Sequence, residues 1–374
     1  MDAGEPRLKL ILAVDAIVPP LTGIGRYTWE LARYYATSDS GLEAVRYFFA
    51  GHWIDDPKTL LSRRPLQKRG WQRIAVGWRH WHQRRLAREC VFHSPNYFLP
   101  EWVEGGVVTV HDLSVFRYPE THPVERVRQF ERGFASTLAR AAHLITDSEA
   151  IRREIADDFG WPLEKITAVH LGVPPEFRRY DRMSLVAPLA RCGLEPGAYT
   201  LCVSTLEPRK RIGALLAAYA DLPAALRTRF PLVLVGSEGW LGEGLRQAIV
   251  RGESEGWLRY LGFVSDMMLP FIYAGAHAFF FPSLYEGFGL PVLEALASGV
   301  PTLTSACSSL PEVAGGAAWL VEPGDHAALR EGIFNVISDE QWRAAAIERG
   351  LQVTSEATWE RCARKTLDVC RRFA

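Results

Sequence analysis

The sequence predicts an α/β protein made of two doubly wound parallel-sheet domains, and three observations carry that prediction. Short apolar runs alternate with amphipathic stretches in both halves of the chain, as expected of strands buried on both faces and covered by helices. The alternation stops once, over residues 174–198, and then restarts. Finally, 374 residues is about twice the size of an ordinary domain, so each half can bury a core of its own.

The first half opens with residues 8–14, Leu-Lys-Leu-Ile-Leu-Ala-Val, a run of strand length. A loop follows (Pro19-Pro20-Leu-Thr-Gly-Ile-Gly25), then a helical pattern through Tyr27, Leu31 and Tyr35. Strand, glycine loop and helix form the opening unit of a doubly wound layer. Further strands are predicted at 45–50, 90–93, 106–110, 144–146 and 166–169, with amphipathic helices over 124–142 and 148–159. Residues 174–198 are rich in Pro, Arg and Gly, show no period, and read as a linker. Strands resume at 199–203, 231–235, 278–281, 301–304 and 318–321. The expected domains are therefore 1–180 and 190–357, with 358–374 a helix that packs back on the first domain.

Composition excludes several classes. The 43 Lys+Arg balance 43 Asp+Glu, which argues against a general nucleic-acid binder. Apolar content of 48% with 23% charged residues is that of a globular protein. The six cysteines (Cys90, Cys192, Cys202, Cys307, Cys362 and Cys370) are scattered and form no CxxC, so neither a disulfide framework nor a zinc site is indicated. Residues 10–14 are too short for a signal-peptide core, and no run of about 18 apolar residues occurs. A cytoplasmic, soluble chain is expected.

The segment Phe281-Pro-Ser-Leu-Tyr-Glu-Gly-Phe-Gly-Leu-Pro-Val-Leu-Glu-Ala-Leu-Ala-Ser-Gly-Val-Pro301 is the most informative. It reads as a strand end, a glycine loop, and a helix that Pro291 starts and Gly299 closes. Glu286 falls in the loop, and Glu294 is expected inside the first helical turn. Both would stand near the C-terminal sheet edge, where doubly wound folds bind ligands. Glu294 there can accept two hydrogen bonds from a vicinal diol such as a ribose. The amides of Gly289 and Leu290 offer an anion seat beside it. A glutamate pair alone would more often do no more than favour the helix start, but the Gly-Phe-Gly-Leu-Pro between these two supports binding.

This run resembles the E-x7-E signature of retaining family 4 glycosyltransferases. Three other segments join it in the family's order. Val203-Ser-Thr-Leu-Glu-Pro-Arg-Lys210 resembles the diphosphate segment, Val108-Thr-Val-His-Asp-Leu-Ser114 the H-D-L segment, and Thr22-Gly-Ile-Gly-Arg-Tyr27 the first glycine loop. The wording of E-P-R-K and of His93-Ser-Pro-Asn-Tyr97 is similar to bacterial mannosyl- and rhamnosyltransferases of surface polysaccharide (O-antigen type) assembly. Two positions depart: Arg211 stands where the family usually has Asn, and Ser204 where it often has Gly.

The resemblance implies the GT-B fold, two Rossmann-like domains facing an interdomain cleft, with the sugar nucleotide bound mainly by the second domain. It implies that Glu294 holds the ribose, and that Glu286 with Gly287, Phe288 and Gly289 holds the donor sugar beside Leu290. Arg209 and Lys210 would neutralise the departing diphosphate. His111 would lie near the transferred sugar, and Gly23 and Gly25 would let backbone approach the diphosphate. Taken alone, Arg209-Lys210-Arg211 is more often a solvated basic turn, His111 is as often a structural histidine, and Gly23-x-Gly25 is an incomplete dinucleotide fingerprint. No Asp-x-Asp occurs, which fits a transferase that uses Arg and Lys rather than a metal, and no cofactor is expected.

The implied function is transfer of a hexosyl unit, mannose or rhamnose from a GDP-sugar, with retention onto a lipid-linked or polysaccharide acceptor. With no carboxylate placed as a nucleophile, the mechanism expected is front-face displacement. Between Lys58 and Arg88, ten Lys and Arg residues stand with Trp71, Trp78 and Trp81 and no acid. That segment is either an exposed helix or a platform for an anionic bilayer or lipid diphosphate, which would make the chain peripheral on the inner face of the cytoplasmic membrane. The rival readings are an epimerase, a glycan phosphorylase and an inactive sugar-nucleotide-binding module. A nicotinamide dehydrogenase is disfavoured by the incomplete first glycine loop.

Overall fold

A computed structural model describes residues 8–21, 23–62, 89–239 and 242–374. The chain divides into two compact units, Met1–Gly172 together with Trp359–Ala374, and Val173–Thr358. The boundary thus falls at 172/173 rather than near 180. Most of the basic, tryptophan-bearing segment, and Thr22 of the first glycine loop, lie outside the described residues.

The first unit holds a seven-stranded sheet. Its strands are β1 (Lys9–Ala13), β2 (Ala44–Phe49), β3 (His52–Ile54), β4 (Val91–Ser94), β5 (Val107–Val110), β6 (His143–Thr146) and β7 (Ile166–Ala168), in the order β3-β2-β1-β4-β5-β6-β7. β1 sits in the middle because it is apolar on both faces; Leu10, Ile11 and Leu12 have no exposed surface. Only β3 runs antiparallel, paired with β2 through a two-residue turn at Ala50–Gly51, both with positive φ. This edge strand escapes the sequence reading because its three residues carry no apolar run. The helix Trp359–Arg371 belongs to this unit and packs on the helix Gly23–Tyr35. It buries Trp359, Cys362, Ala363, Thr366, Leu367 and Cys370, one stripe at helical spacing.

The second unit holds six parallel strands: β8 (Thr200–Val203), β9 (Leu232–Val235), β10 (Leu258–Tyr260), β11 (Ala278–Phe281), β12 (Thr302–Ser305) and β13 (Ala318–Val321). Their order is β10-β9-β8-β11-β12-β13. The three phenylalanines of β11 are buried in its centre. The segment expected to be a linker contains a helix, Arg182–Ala190, capped by Asp181 accepting from the Ser184 amide. Pro188 and the arginines mask its period, but Leu185 and Leu189, one turn apart, are its buried contacts.

Parallel strands present all their C-terminal ends at one edge, so sheet order decides which loops become neighbours. β8, β11 and β12 are adjacent, which brings the loops after residues 203, 281 and 305 together. In the first unit β4, β5 and β6 are adjacent in the same way. Among the described residues no helix is long and apolar enough to cross a membrane.

Candidate active site

After β8 the chain turns through Pro208–Lys210, a short 3-10 helix, and enters the helix Ile212–Ala220. Arg211 at the junction is left-handed, with φ 53° and ψ 34°. Asparagine tolerates that conformation better than arginine does, which gives a physical reason for the family's usual residue there. Ser204 needs no positive φ; it is buried, and its hydroxyl donates to the Thr205 carbonyl.

The loop after β11 meets this turn. Lys210 Nζ is 2.5 Å from Glu286 Oε1, and Arg209 Nη1 is 3.3 Å from Glu286 Oε2. The same Arg209 nitrogen donates to the Tyr285 carbonyl. Backbone joins the two loops as well, the Leu284 amide donating to the Arg209 carbonyl at 2.8 Å. Lys210 also stands over the Phe281 ring, 5.4 Å from its centroid. The two cations and the glutamate, 76 and 77 residues apart in sequence, form one cluster in which Arg209 and Glu286 are buried and Lys210 is half-buried.

Three serines complete the cluster, and the sequence reading had not singled them out. Ser283, fully buried, donates to Glu286 Oε1 at 2.6 Å. From the end of β12, the Ser308 hydroxyl accepts from the Glu286 amide at 3.0 Å, and the Ser309 hydroxyl reaches the Glu286 and Phe288 carbonyls at 2.9 and 2.7 Å. Ser283 stands three residues from Glu286 and could have been found by that spacing. Ser308 and Ser309 carry no local signal, because only the β11–β12 pairing makes them neighbours.

Glu286 has a net downward pKa. Burial pushes its carboxyl up, but Lys210, then Arg209, and the hydrogen bonds from Lys210 and Ser283 outweigh that and hold it ionised. Gly289 caps the next helix, Leu290–Ala297, with φ 106°, and a Cβ there would come within 2.8 Å of Leu310 Cδ2. Pro291 is the second helical residue, not the first, and Glu294 the fifth, so Glu294 lies one residue deeper than expected, just past the first turn. It is buried beside Tyr273, whose hydroxyl pKa is raised by burial first and by Glu294 next. Gly299 follows the helix with φ 70°.

Gly23, Gly25 and His111 belong to the first unit. Gly25 uses its missing side chain within its own fold: a Cβ would meet the Ala16 carbonyl at 2.8 Å, whereas Gly23 has open space. His111, just past β5, is buried with both ring nitrogens engaged, Nδ1 with Asp147 Oδ2 at 2.7 Å and Nε2 with the Pro95 carbonyl at 2.8 Å. No group of three His, Cys, Asp or Glu side chains that could hold a metal occurs among the described residues.

Two doubly wound units, with two cations and a carboxylate gathered at the C-terminal edge of the second sheet, fit the GT-B fold class. Comparison with known proteins agrees. A family model described as glycosyl transferases group 1 matches residues 194–353. The chain is 37% identical over 384 aligned residues to the O-antigen chain mannosyltransferase B of Escherichia coli, covering 96% of this chain and 99% of that protein. It is 31% identical to the Escherichia coli serotype-specific mannosyltransferase WbdA over 70% of this chain and 33% of that longer protein. Among solved structures, the lipopolysaccharide glycosyltransferase WaaG superposes with a TM-score of 0.70 at 17% identity, over 96% of this chain and 99% of that one. Anabaena HepE, solved with UDP and glucose, superposes at 0.74 and 18% over 97% and 99%. The chain belongs to the group 1 glycosyl transferases.

Proposed function

We propose that this chain transfers a hexosyl unit, mannose or rhamnose from a GDP-sugar, with retention of configuration onto a lipid-linked or polysaccharide acceptor. The observation that supports this most is the convergence of Arg209 and Lys210 on Glu286 at a glycine-capped helix start. It occurs in a chain 37% identical to an O-antigen chain mannosyltransferase. In this reading the diphosphate draws Arg209 and Lys210 to itself, and Glu286, still held by Ser283, turns its lone pairs to the sugar hydroxyls. Gly287, Phe288, Gly289 and Leu290 supply backbone to the donor, Glu294 takes the ribose, Gly23 and Gly25 let backbone approach the diphosphate, and His111 serves the transferred sugar.

In the transfer step the bond from the anomeric carbon to the β-phosphate oxygen breaks. The acceptor oxygen bonds to that carbon on the same face, and its proton passes to an oxygen of the leaving diphosphate. The guanidinium and ammonium groups take up the charge that develops there, so the step calls for no metal and no cofactor. The basic, tryptophan-bearing segment would hold the protein against the inner face of the cytoplasmic membrane, close to a lipid-linked acceptor. That attachment is tested by co-sedimentation with anionic vesicles, which should fail in high salt.

A thermal-shift panel of GDP, UDP, ADP and their sugars tests the donor. Selective stabilisation by GDP and GDP-mannose or GDP-rhamnose is expected, followed by transfer that survives EDTA and keeps the anomeric configuration by NMR. Selectivity for another base, loss with EDTA, or an inverted product would each contradict the corresponding part of the reading.

A further inference from the structure

Three groups form a row across the C-terminal edge of the first sheet: the Pro95 carbonyl, the His111 ring and the Asp147 carboxylate. Each stands one residue beyond its strand, β4, β5 and β6, and these strands are neighbours. The contacts are 2.8 Å from Nε2 to Pro95 O and 2.7 Å from Nδ1 to Asp147 Oδ2. A carbonyl oxygen can only accept, so Nε2 carries a proton, and the contact at Nδ1 then needs a second one, shared with the carboxylate. The rings of Tyr27 and Tyr97 meet the imidazole edge-on, with centroids 5.0 and 5.8 Å away, and close the site around it. Asp147 is 3% exposed, and its Oδ1 has no hydrogen-bond partner among the described residues. Burying a carboxylate with one oxygen unsatisfied is costly, and packing alone gives no reason for it.

We propose that Asp147 is a positioning residue for the transfer reaction, holding His111 doubly protonated and fixing its ring across the ends of β4, β5 and β6. This rests on the reading of His111 as a residue that serves the transferred sugar. With both ring nitrogens committed, His111 shuttles no proton; it serves the transferred sugar through the fixed charge of its ring and the strand ends it braces, not through a ring N–H. Burial alone would lower its pKa, but the charge and hydrogen bond of Asp147, the Pro95 carbonyl and then Asp112 outweigh that and raise it. The other titratable groups facing the pair are His93 on β4, held neutral by burial at a pKa of about 3, His170 after β7, Tyr27 on the first helix, and Cys362 on the C-terminal helix.

Asp147→Asn separates charge from shape. Its amide can donate to Nδ1 while Nε2–H still reaches Pro95, so the row closes with a neutral ring. The expected variant folds and binds GDP with wild-type affinity, but its kcat for transfer is about 10- to 100-fold lower. The alkaline limb of its kcat profile moves to lower pH, and Asp147→Glu recovers part of that limb. In wild type, a far-downfield imidazole N–H proton resonance reports the shared proton without any need for activity, and Asp147→Asn should lose it. A folded Asp147→Asn with unchanged kcat and pH limb overturns the proposal, as does absence of the resonance from wild type. Should Asp147→Asn fail to fold, the resonance and the Asp147→Glu profile decide. A wild-type chain that transfers no sugar while showing the resonance would sink the functional reading but leave the row intact.

Discussion

Glu286→Gln should separate recognition of the sugar from recognition of the diphosphate. In the structure this carboxylate is 8% exposed and takes three donors: Lys210 at 2.5 Å, Ser283 at 2.6 Å and Arg209 at 3.3 Å. It therefore occupies the cations that a diphosphate would need. Glutamine keeps the shape but removes the charge, so a diphosphate no longer competes with a neighbouring anion for Lys210 and Arg209. Bare GDP should then bind at least as tightly as to wild type. The sugar conjugate loses charge-assisted hydrogen bonds to its hydroxyls, each worth about 1.5–3 kcal/mol, or about 10- to 150-fold in affinity. Titration calorimetry with GDP and with GDP-mannose should show the two affinities moving apart by at least that smaller factor. Equal weakening of both ligands would mean that Glu286 only holds the loop, and no change in either would remove it from the site.

Further outcomes follow from single positions. Gly289→Ala places a side chain at φ 106° against Leu310, and should cost about 1–3 kcal/mol in urea unfolding together with loss of nucleotide binding. Arg211→Asn relieves a left-handed arginine and should stabilise the protein by about 1 kcal/mol by the same measurement. Stability should fall as pH drops from about 7 to 4, read by thermal unfolding across pH. Burial pushes His277, which stacks on Phe230, down to about 4 and His93 to about 3, so the unfolded chain binds these protons first. Stability that is flat over that range would mean both rings can be charged in place.

Much of this was legible in the sequence, for identifiable reasons. Strands such as β1 and β11 are apolar on both faces and announce themselves, and glycine and proline mark the loop and helix around Glu286. The short strands β3 and β10 carry polar residues and have no such run. The helix Arg182–Ala190 was hidden because Pro188 and the surrounding arginines obscure a stripe of only two buried leucines. The serines at 308 and 309 and Asp147 belong to their sites solely through strand order, which no local pattern encodes. His111 was legible as a residue, but the engagement of both its ring nitrogens depends on two neighbouring strands.

The most direct test of the central claim is a crystal structure of the protein with a GDP-sugar bound. The result expected is diphosphate oxygens within hydrogen-bonding distance of Arg209 and Lys210, sugar hydroxyls on Glu286, and the ribose on Glu294. A donor seated elsewhere, with Lys210 still paired to Glu286 as it is now, would contradict it.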